Sequence, residues 1–486
     1  MSQTNLVYNV EDKPGWGKTI VFALQQLLAI MAATIAVPMI VGNGMSTSAA
    51  LFGAGVGTLV YLLFTKFKSP VFLGSSFAFL GSMFAAFAGA ISVTVGYFGL
   101  ILGAIFAGLV YVILALLVKF CGTGWIAKIM PPVVIGPTVA IIGLSLSGNA
   151  VANTFGYGSV ADFAASEKVM NLHVWMCVIV GLITLLTVIL VSTYAKKKSF
   201  LSLIPFVIGI AVGYLVALGI TGIGYAASND ALKIIDFGIF QNAGWTKFVG
   251  GWCPEFTFIK AFSCFNDGSD LSKMGPYIGA IAVAYVPVAF VVFAEHIADH
   301  KNLSSIIGRD LLNEPGLHRT LLGDGVGSMA GAFFGGACNT TYGESVGCVA
   351  ISGNASIRTI FVTAIMAIVL SFVLPFSTVL ASIPAAVMGG VCIALYGFIA
   401  VSGLKMIQTV DLNDNRNLFV VSVILIAGVG AFGMKFLLPN SASIELTEIA
   451  CALILGIIVN LLVNIKKQPK NEEPAESAKI EEGEQQ

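Results

Sequence analysis

Acidic and imidazole side chains are scarce in the apolar part of this chain, and where they occur they fall close together. The segment FAEHIADH (293–300) carries Glu295, His296, Asp299 and His300. A second segment, GGACNTTYGESVGCVA (335–350), carries Glu344 among Asn339, Thr341, Tyr342, Gly343 and Ser345 between two apolar runs. On a helix, Glu295 and Asp299 stand one turn apart on one face. Two carboxylates that close, away from bulk water, repel when both are ionised, so they titrate as a unit and form a proton-binding device. His296 and His300 share an adjoining face, and His300 with Lys301 is expected at the water interface. The alternatives are structural: a hydrogen bond to a neighbouring helix for Glu295, solvent for Asp299, and the helix dipole for Glu344. The last is compatible with a ligand role.

An apolar scaffold has to hold these groups. Of 486 residues, 57% are hydrophobic and 10% charged, with a mean hydropathy of +0.93; a soluble domain has about 25% charged residues. Fourteen apolar stretches lie at roughly 18–41, 48–65, 71–91, 97–118, 130–147, 172–193, 201–226, 276–300, 319–336, 338–352, 357–380, 384–406, 417–438 and 445–465. Most approach the ~20 residues a helix needs to cross the hydrocarbon core, which predicts an all-α polytopic membrane protein. Glu11-Asp12-Lys13 and the polar Gln25-Gln26 pair argue against a cleaved signal in the first stretch. With the N-terminus inside, 19 of the 25 Lys and Arg fall on the cytoplasmic side, as the positive-inside rule requires, and an even span count puts both termini there.

The expected division is a cytoplasmic N-terminus (1–17), a first seven-span half (18–226), an extracellular loop (227–275), a second half (276–466) and a disordered cytoplasmic tail (467–486). Cys253 and Cys264 share the external loop and could pair if that face is oxidising; the other cysteines read as small packing residues. No HExxH, GxxxxGK[ST] or strand–helix GxGxxG occurs, so no enzyme, metal centre or cofactor is expected, and no nucleic-acid partner. The 54 glycines, GAGVG (53–57) among them, read as close helix packing within a membrane.

Fourteen spans divide into seven and seven, and an odd number per half forces the halves into opposite orientations, an architecture common among secondary transporters. Two polar breaks fall at matching places: SPVFLGSSFAF (69–79) opens the third stretch and GACNTTYGES (336–345) opens the tenth. Each reads as an extended piece leading into a half-helix, whose free N–H groups inside the membrane must meet water, protein or a ligand. The alternative is a packing kink filled by Ser and Thr hydroxyls. Gln25-Gln26 in the first stretch and Glu295, His296, Asp299 and His300 in the eighth form a second matched pair.

With GSSFAF (74–79), AEH (294–296), EPGLHR (314–319), NTTYGE (339–344) and IPAAVMGG (383–390) in view, nearly the whole membrane region resembles the nucleobase–ascorbate transporters, a family of nucleobase:cation symporters. NTTYGE is similar to the bacterial uracil:proton symporter branch, whereas xanthine and urate carriers usually have a sequence closer to Q-N-x-G. The resemblance implies fourteen spans in two inverted repeats, with spans 1–4 and 8–11 as a core domain and spans 5–7 and 12–14 as a gate. Short strands in spans 3 and 10 would cross near the substrate. It implies that Glu295 and Glu344 bind uracil together with backbone groups of Phe77 and Gly343, that Tyr342 and Ala33 line the pocket, and that the protein is a homodimer. Gln25, Gln26, Ser76, Asn339 and Thr341 are expected to support the pocket, and Glu295, Asp299 and His296 to carry the coupling proton.

Two positions depart from the family pattern. Gln25-Gln26 stands where members often have Gln-His, and Asp299 stands where the uracil branch has a second His. Both replaced groups titrate near neutral pH, so Asp299 is expected to share a proton with Glu295 instead. The expected function is import of uracil across the cytoplasmic membrane by proton symport. Alternatives are xanthine or another base, sodium coupling, and an anion exchanger or channel of the same architecture; Glu344 beside a half-helix start argues against the last.

Overall fold

The computed structural model describes residues 6–158, 160–166, 169–196, 201, 204–248, 251–266, 268, 274–437 and 443–465; the tail expected to be disordered lies outside them. Every one of the fourteen apolar stretches contains helix. The principal helices are α1 (Trp16–Val41), α2 (Thr47–Phe64), α3 (Leu80–Ala88), α4 (Val93–Cys121), α5 (Pro132–Ser145), α6 (Leu172–Tyr194), α7 (Pro205–Ala226) and α8 (Met274–Ile307). They continue with α9 (Leu317–Gly335), α10 (Gly343–Ser352), α11 (Ile357–Ser371), α12 (Leu374–Ala381), α13 (Ala385–Ile407), α14 (Asn415–Val429) and α15 (Glu448–Asn464). Local chemistry sets several ends. The Ser46 hydroxyl accepts the Ala49 N–H at 3.2 Å to start α2, and the Asn171 side chain accepts the Val174 N–H at 2.9 Å to start α6.

Among the described residues, eight helices are long and apolar enough to cross a membrane: α1, α2, α4, Pro132–Thr154 (which contains α5), α6, α7, α8 and α13. This is a mostly helical, multi-pass membrane fold. The other stretches differ from simple spans for identifiable reasons. α11 and α12 meet at 83°, with Pro375 in the first turn of α12 unable to continue the preceding helix. The stretch 417–438 is helical only to Val429. Residues 434–437 instead form strand β3 (Met434–Leu437), paired antiparallel with β4 (Ser443–Leu446). In the third and tenth stretches, strands β1 (Leu73–Ser75) and β2 (Asn339–Thr341) precede the short helices α3 and α10.

β1 and β2 pair antiparallel with Leu73 opposite Thr341, Gly74 opposite Thr340 and Ser75 opposite Asn339. Neither three-residue strand could satisfy its own backbone in an apolar interior, so each depends on the other. The pairing extends to the Ser76 N–H, which donates to the Cys338 carbonyl at 2.8 Å. Small residues bring the surrounding helices close. Gly53 and Gly57 of α2 face Gly331 and Gly327 of α9, and a Cβ at Gly57 would lie 2.7 Å from the Gly327 carbonyl oxygen. The GAGVG run thus serves packing, as expected. Asn339 Nδ2 crosses this seam to donate to the Gly53 carbonyl at 3.1 Å, tying β2 to α2. Cys253 and Cys264 do not form a disulfide; the first is partly exposed and the second buried.

Candidate functional site

Both broken segments end beside one face of α8. There Glu295, Ala298, Asp299 and Asn302 follow one another along about two turns, and all four line a cavity of about 300 Å³. β2 and the start of α10 contribute Thr340, Tyr342, Gly343 and Glu344; the turn after β1 contributes Phe77 and Ala78. The opposite wall is mainly apolar, formed by Val139 and Ile142 of α5 and Phe398, Ile399 and Ser402 of α13. The volume lies at the lower end of small-molecule sites, roughly 300–1,000 Å³.

Backbone geometry sets what the polar wall presents. Tyr342 is extended (φ −109°, ψ 124°) and precedes the first turn of α10, so the amides of Gly343, Glu344 and Ser345 have no carbonyl one helical turn before them. Glu344 sits in that turn, where an anion or an acceptor is favoured by the dipole. The Tyr342 ring fits because Gly74 has no Cβ; one built there would meet Cδ2 of the ring at 2.7 Å. Its hydroxyl donates to the Ser75 carbonyl at 2.6 Å, fixing the ring against β1. Phe77 meets Tyr396 of α13 edge-on, with centroids 5.5 Å apart. The Thr341 hydroxyl donates to Asp299 Oδ2 at 2.9 Å, so β2 holds the second carboxylate of α8 in place.

Six of the residues named from sequence therefore share the cavity wall: Phe77, Glu295, Asp299, Tyr342, Gly343 and Glu344. The remaining named residues lie behind it. Thr341 acts on Asp299, and Asn339 is a link to α2 whose own N–H donates to Ser328 Oγ at 3.0 Å. Ser76 is buried at the strand crossing, Ala33 is buried within α1, and Gln25 lies on the same helix. Gln26 Nε2 donates to Ser345 Oγ at 2.6 Å.

His296 also stands off the cavity. It faces α9, with Nδ1 at 2.7 Å from Asp324 Oδ2 and Nε2 at 3.0 Å from the Thr320 hydroxyl. His300, expected at the interface, is instead fully buried. Its ring stacks on His296 with centroids 4.0 Å apart, and its Nε2 lies 2.7 Å from the Tyr61 hydroxyl. The correction has a simple cause: His300 lies on the face of α8 turned toward Tyr61 of α2, whereas its neighbour Lys301 is exposed. Sequence reasoning missed Asp324, although a lone carboxylate inside the ninth apolar stretch was the signal. It also missed Asn302, two turns beyond Glu295 on the same face, and Ser402, whose apolar helix gives no cue.

A multi-pass helical protein with a carboxylate-lined cavity between two broken segments has the build of a membrane transporter, and solved structures with this fold carry such titles. The transmembrane domain of a cyanobacterium bicarbonate transporter, BicA, aligns with a TM-score of 0.58 at 16% identity, covering 91% of this chain and 96% of that one. The murine anion transporter Slc26a9 in the inward-facing state aligns with a TM-score of 0.59 at 14% identity, covering 94% and 69%. At such identities the likeness is one of fold alone. Residues 17–435 match a family profile described as a permease family. The uracil permease of Bacillus subtilis (strain 168) is 38% identical over 470 residues, 96% of this chain and 98% of the relative. That of Escherichia coli (strain K12) is 33% identical over 464 residues, 95% of each chain. The chain belongs to the nucleobase–ascorbate transporter family of permeases; it is a transporter and not an enzyme.

Proposed function

We propose that this permease imports uracil across the cytoplasmic membrane by proton symport. The observation that carries the reading is Glu344 at the first turn of α10, sharing a cavity of about 300 Å³ with Glu295 and Asp299 of α8. Uracil is neutral and planar, with two N–H donors and two carbonyl acceptors. Glu295 and Glu344 accept from the N–H groups, and the free amides around Gly343 and Phe77 donate to the carbonyls. The Tyr342 and Phe77 rings offer apolar contact. The names of the curated relatives support uracil over a purine.

In this reading the chain has fourteen membrane segments in two inverted halves, with both termini cytoplasmic. The polar wall belongs to a core of spans 1–4 and 8–11, and the α5 and α13 wall to a gate of spans 5–7 and 12–14. Along α8 the cavity extends from Glu295 toward Asn302, the cytoplasmic direction, which supports an inward-facing state. Protonation of the Glu295–Asp299 pair accompanies uracil binding from outside. Removing buried charge lets the core move past the gate, and release inside is followed by deprotonation. A homodimer is part of the proposal. The shared fold with anion transporters does not favour an anion: among the described residues lining the cavity there are three carboxylates and no Lys or Arg.

Equilibrium binding of labelled uracil to the purified protein in nanodiscs tests the site, with unlabelled xanthine and hypoxanthine as competitors. Glu344→Gln and Glu295→Gln should each weaken uracil binding at least tenfold, about 1.4 kcal/mol. Retention of wild-type affinity by both variants, or displacement by xanthine ahead of unlabelled uracil, would overturn the reading.

A further inference from the structure

The cavity wall does not explain why Gln26 and Ser345 are buried together. Gln26 lies on α1 and is 3% exposed; Ser345 follows Glu344 in the first turn of α10 and is fully buried. Gln26 Nε2 donates to Ser345 Oγ at 2.6 Å and lies 3.3 Å from the Ser345 carbonyl oxygen. The same Oγ accepts the N–H of Phe72 at 3.1 Å, the residue immediately before β1. One hydroxyl therefore ties together three pieces that are distant in sequence: the middle of α1, the entry to the first broken segment, and the start of the second half-helix.

Such a link is needed for a mechanical reason. α10 is short and begins inside the protein, so its own hydrogen bonds cannot fix where its first turn points. The β1–β2 pairing fixes residues 339–341 from one side. The Ser345 hydroxyl fixes the turn from the other side, leaving Gly343 and Glu344 clamped between two anchors. A buried donor without its acceptor costs more than the bond itself contributes, so losing either partner should release the clamp and not merely weaken it.

We propose that Gln26 and Ser345 are positioning residues for the substrate site, holding the first turn of α10 so that Glu344 and the Gly343 amide meet the bound base. They touch no substrate; they act through Glu344. The inference rests on the proposed role of Glu344 as a ligand, and its test separates the two ideas.

Two measurements on the full-length protein in nanodiscs decide it. The first needs no substrate: hydrogen exchange of peptides covering 339–352. Ser345→Ala and Gln26→Met should each raise exchange of the α10 first-turn amides at least fivefold, while peptides from α6 and α7 stay unchanged. Unaltered exchange in both variants would overturn the inference, whatever the substrate proves to be. The second is a binding cycle with labelled uracil. Ser345→Ala should weaken binding about five- to tenfold in the wild-type background and less than twofold in the Glu344→Gln background, because the effect passes through Glu344. An equal loss in both backgrounds would mean a general structural role and would also overturn it. If wild-type protein fails to bind uracil while the exchange result holds, the substrate assignment falls and the clamp stands.

Discussion

Gly74→Ala is the substitution whose consequence follows most directly from the geometry. A Cβ at this position would fall closest to Cε2 and Cζ of the Tyr342 ring, with Cδ2 a further contact at 2.7 Å. Ordinary contact begins near 3.4 Å, so the ring must move by roughly 1 Å or β1 must give way. Either motion strains the bond from the Tyr342 hydroxyl to the Ser75 carbonyl, now 2.6 Å. Overpacking of this kind costs about 1–3 kcal/mol. If most of that strain falls on the bound state, where the ring is needed in place, affinity drops about five- to a hundredfold. The assay is equilibrium binding of labelled uracil in nanodiscs, with a thermal melt to follow stability separately. Tyr342→Leu removes the ring and supplies the control. On that background Gly74→Ala should change affinity less than twofold. Wild-type affinity in Gly74→Ala, or an equal loss on both backgrounds, would refute the view that the missing Cβ seats Tyr342 in the wall.

Three further outcomes follow. Asn302→Cys and Ser402→Cys should react with a membrane-impermeant thiol reagent applied from the cytoplasmic side in inside-out vesicles, and uracil should slow that labelling; reaction only from outside would contradict the inward-facing reading. Asp299→Asn should flatten the pH dependence of uptake while leaving uracil binding within about fivefold of wild type; an unchanged pH profile would eliminate the shared proton. At the protein surface, Arg309 pairs with Glu11 and holds its carboxyl below the usual range. Because the folded-state value is depressed, the pair's stabilisation is present above the ordinary carboxylate range, about 4, and is lost as pH falls through the depressed value. Limited proteolysis of the segment before α1 should accelerate on acidification, and Glu11→Gln should show that faster cleavage already at neutral pH.

Much of this site could be read from residue spacing, and what could not be read has physical causes. Glu295 and Asp299 needed only the helical repeat, and the two polar breaks needed only the cost of an unsatisfied backbone in lipid. That SPVFLGSSFAF and GACNTTYGES contain short strands was implied by resemblance; that the strands pair with each other is seen in the register of Gly74 opposite Thr340. Local sequence carries no sign of partners more than 250 residues apart. His300 was misplaced because nothing in the sequence pairs it with Tyr61, 239 residues away. The α13 wall was invisible because Phe398, Ile399 and Ser402 look like any lipid-facing turn until α5 is packed against them. The end of α14 at Val429 was within reach, since Gly428, Gly430 and Gly433 interrupt the stretch. Asp324 was also legible, as a carboxylate that an apolar helix would not retain without a partner such as His296.

The central claim is coupled transport of uracil, and gradient-driven uptake into proteoliposomes tests it most directly. With the lumen at neutral pH and the exterior acidified, labelled uracil should accumulate above its external concentration, and a protonophore should abolish the accumulation. A sodium gradient at equal pH should leave uptake at the equilibration level. Accumulation driven by sodium alone, or uptake of xanthine with none of uracil, would contradict the account.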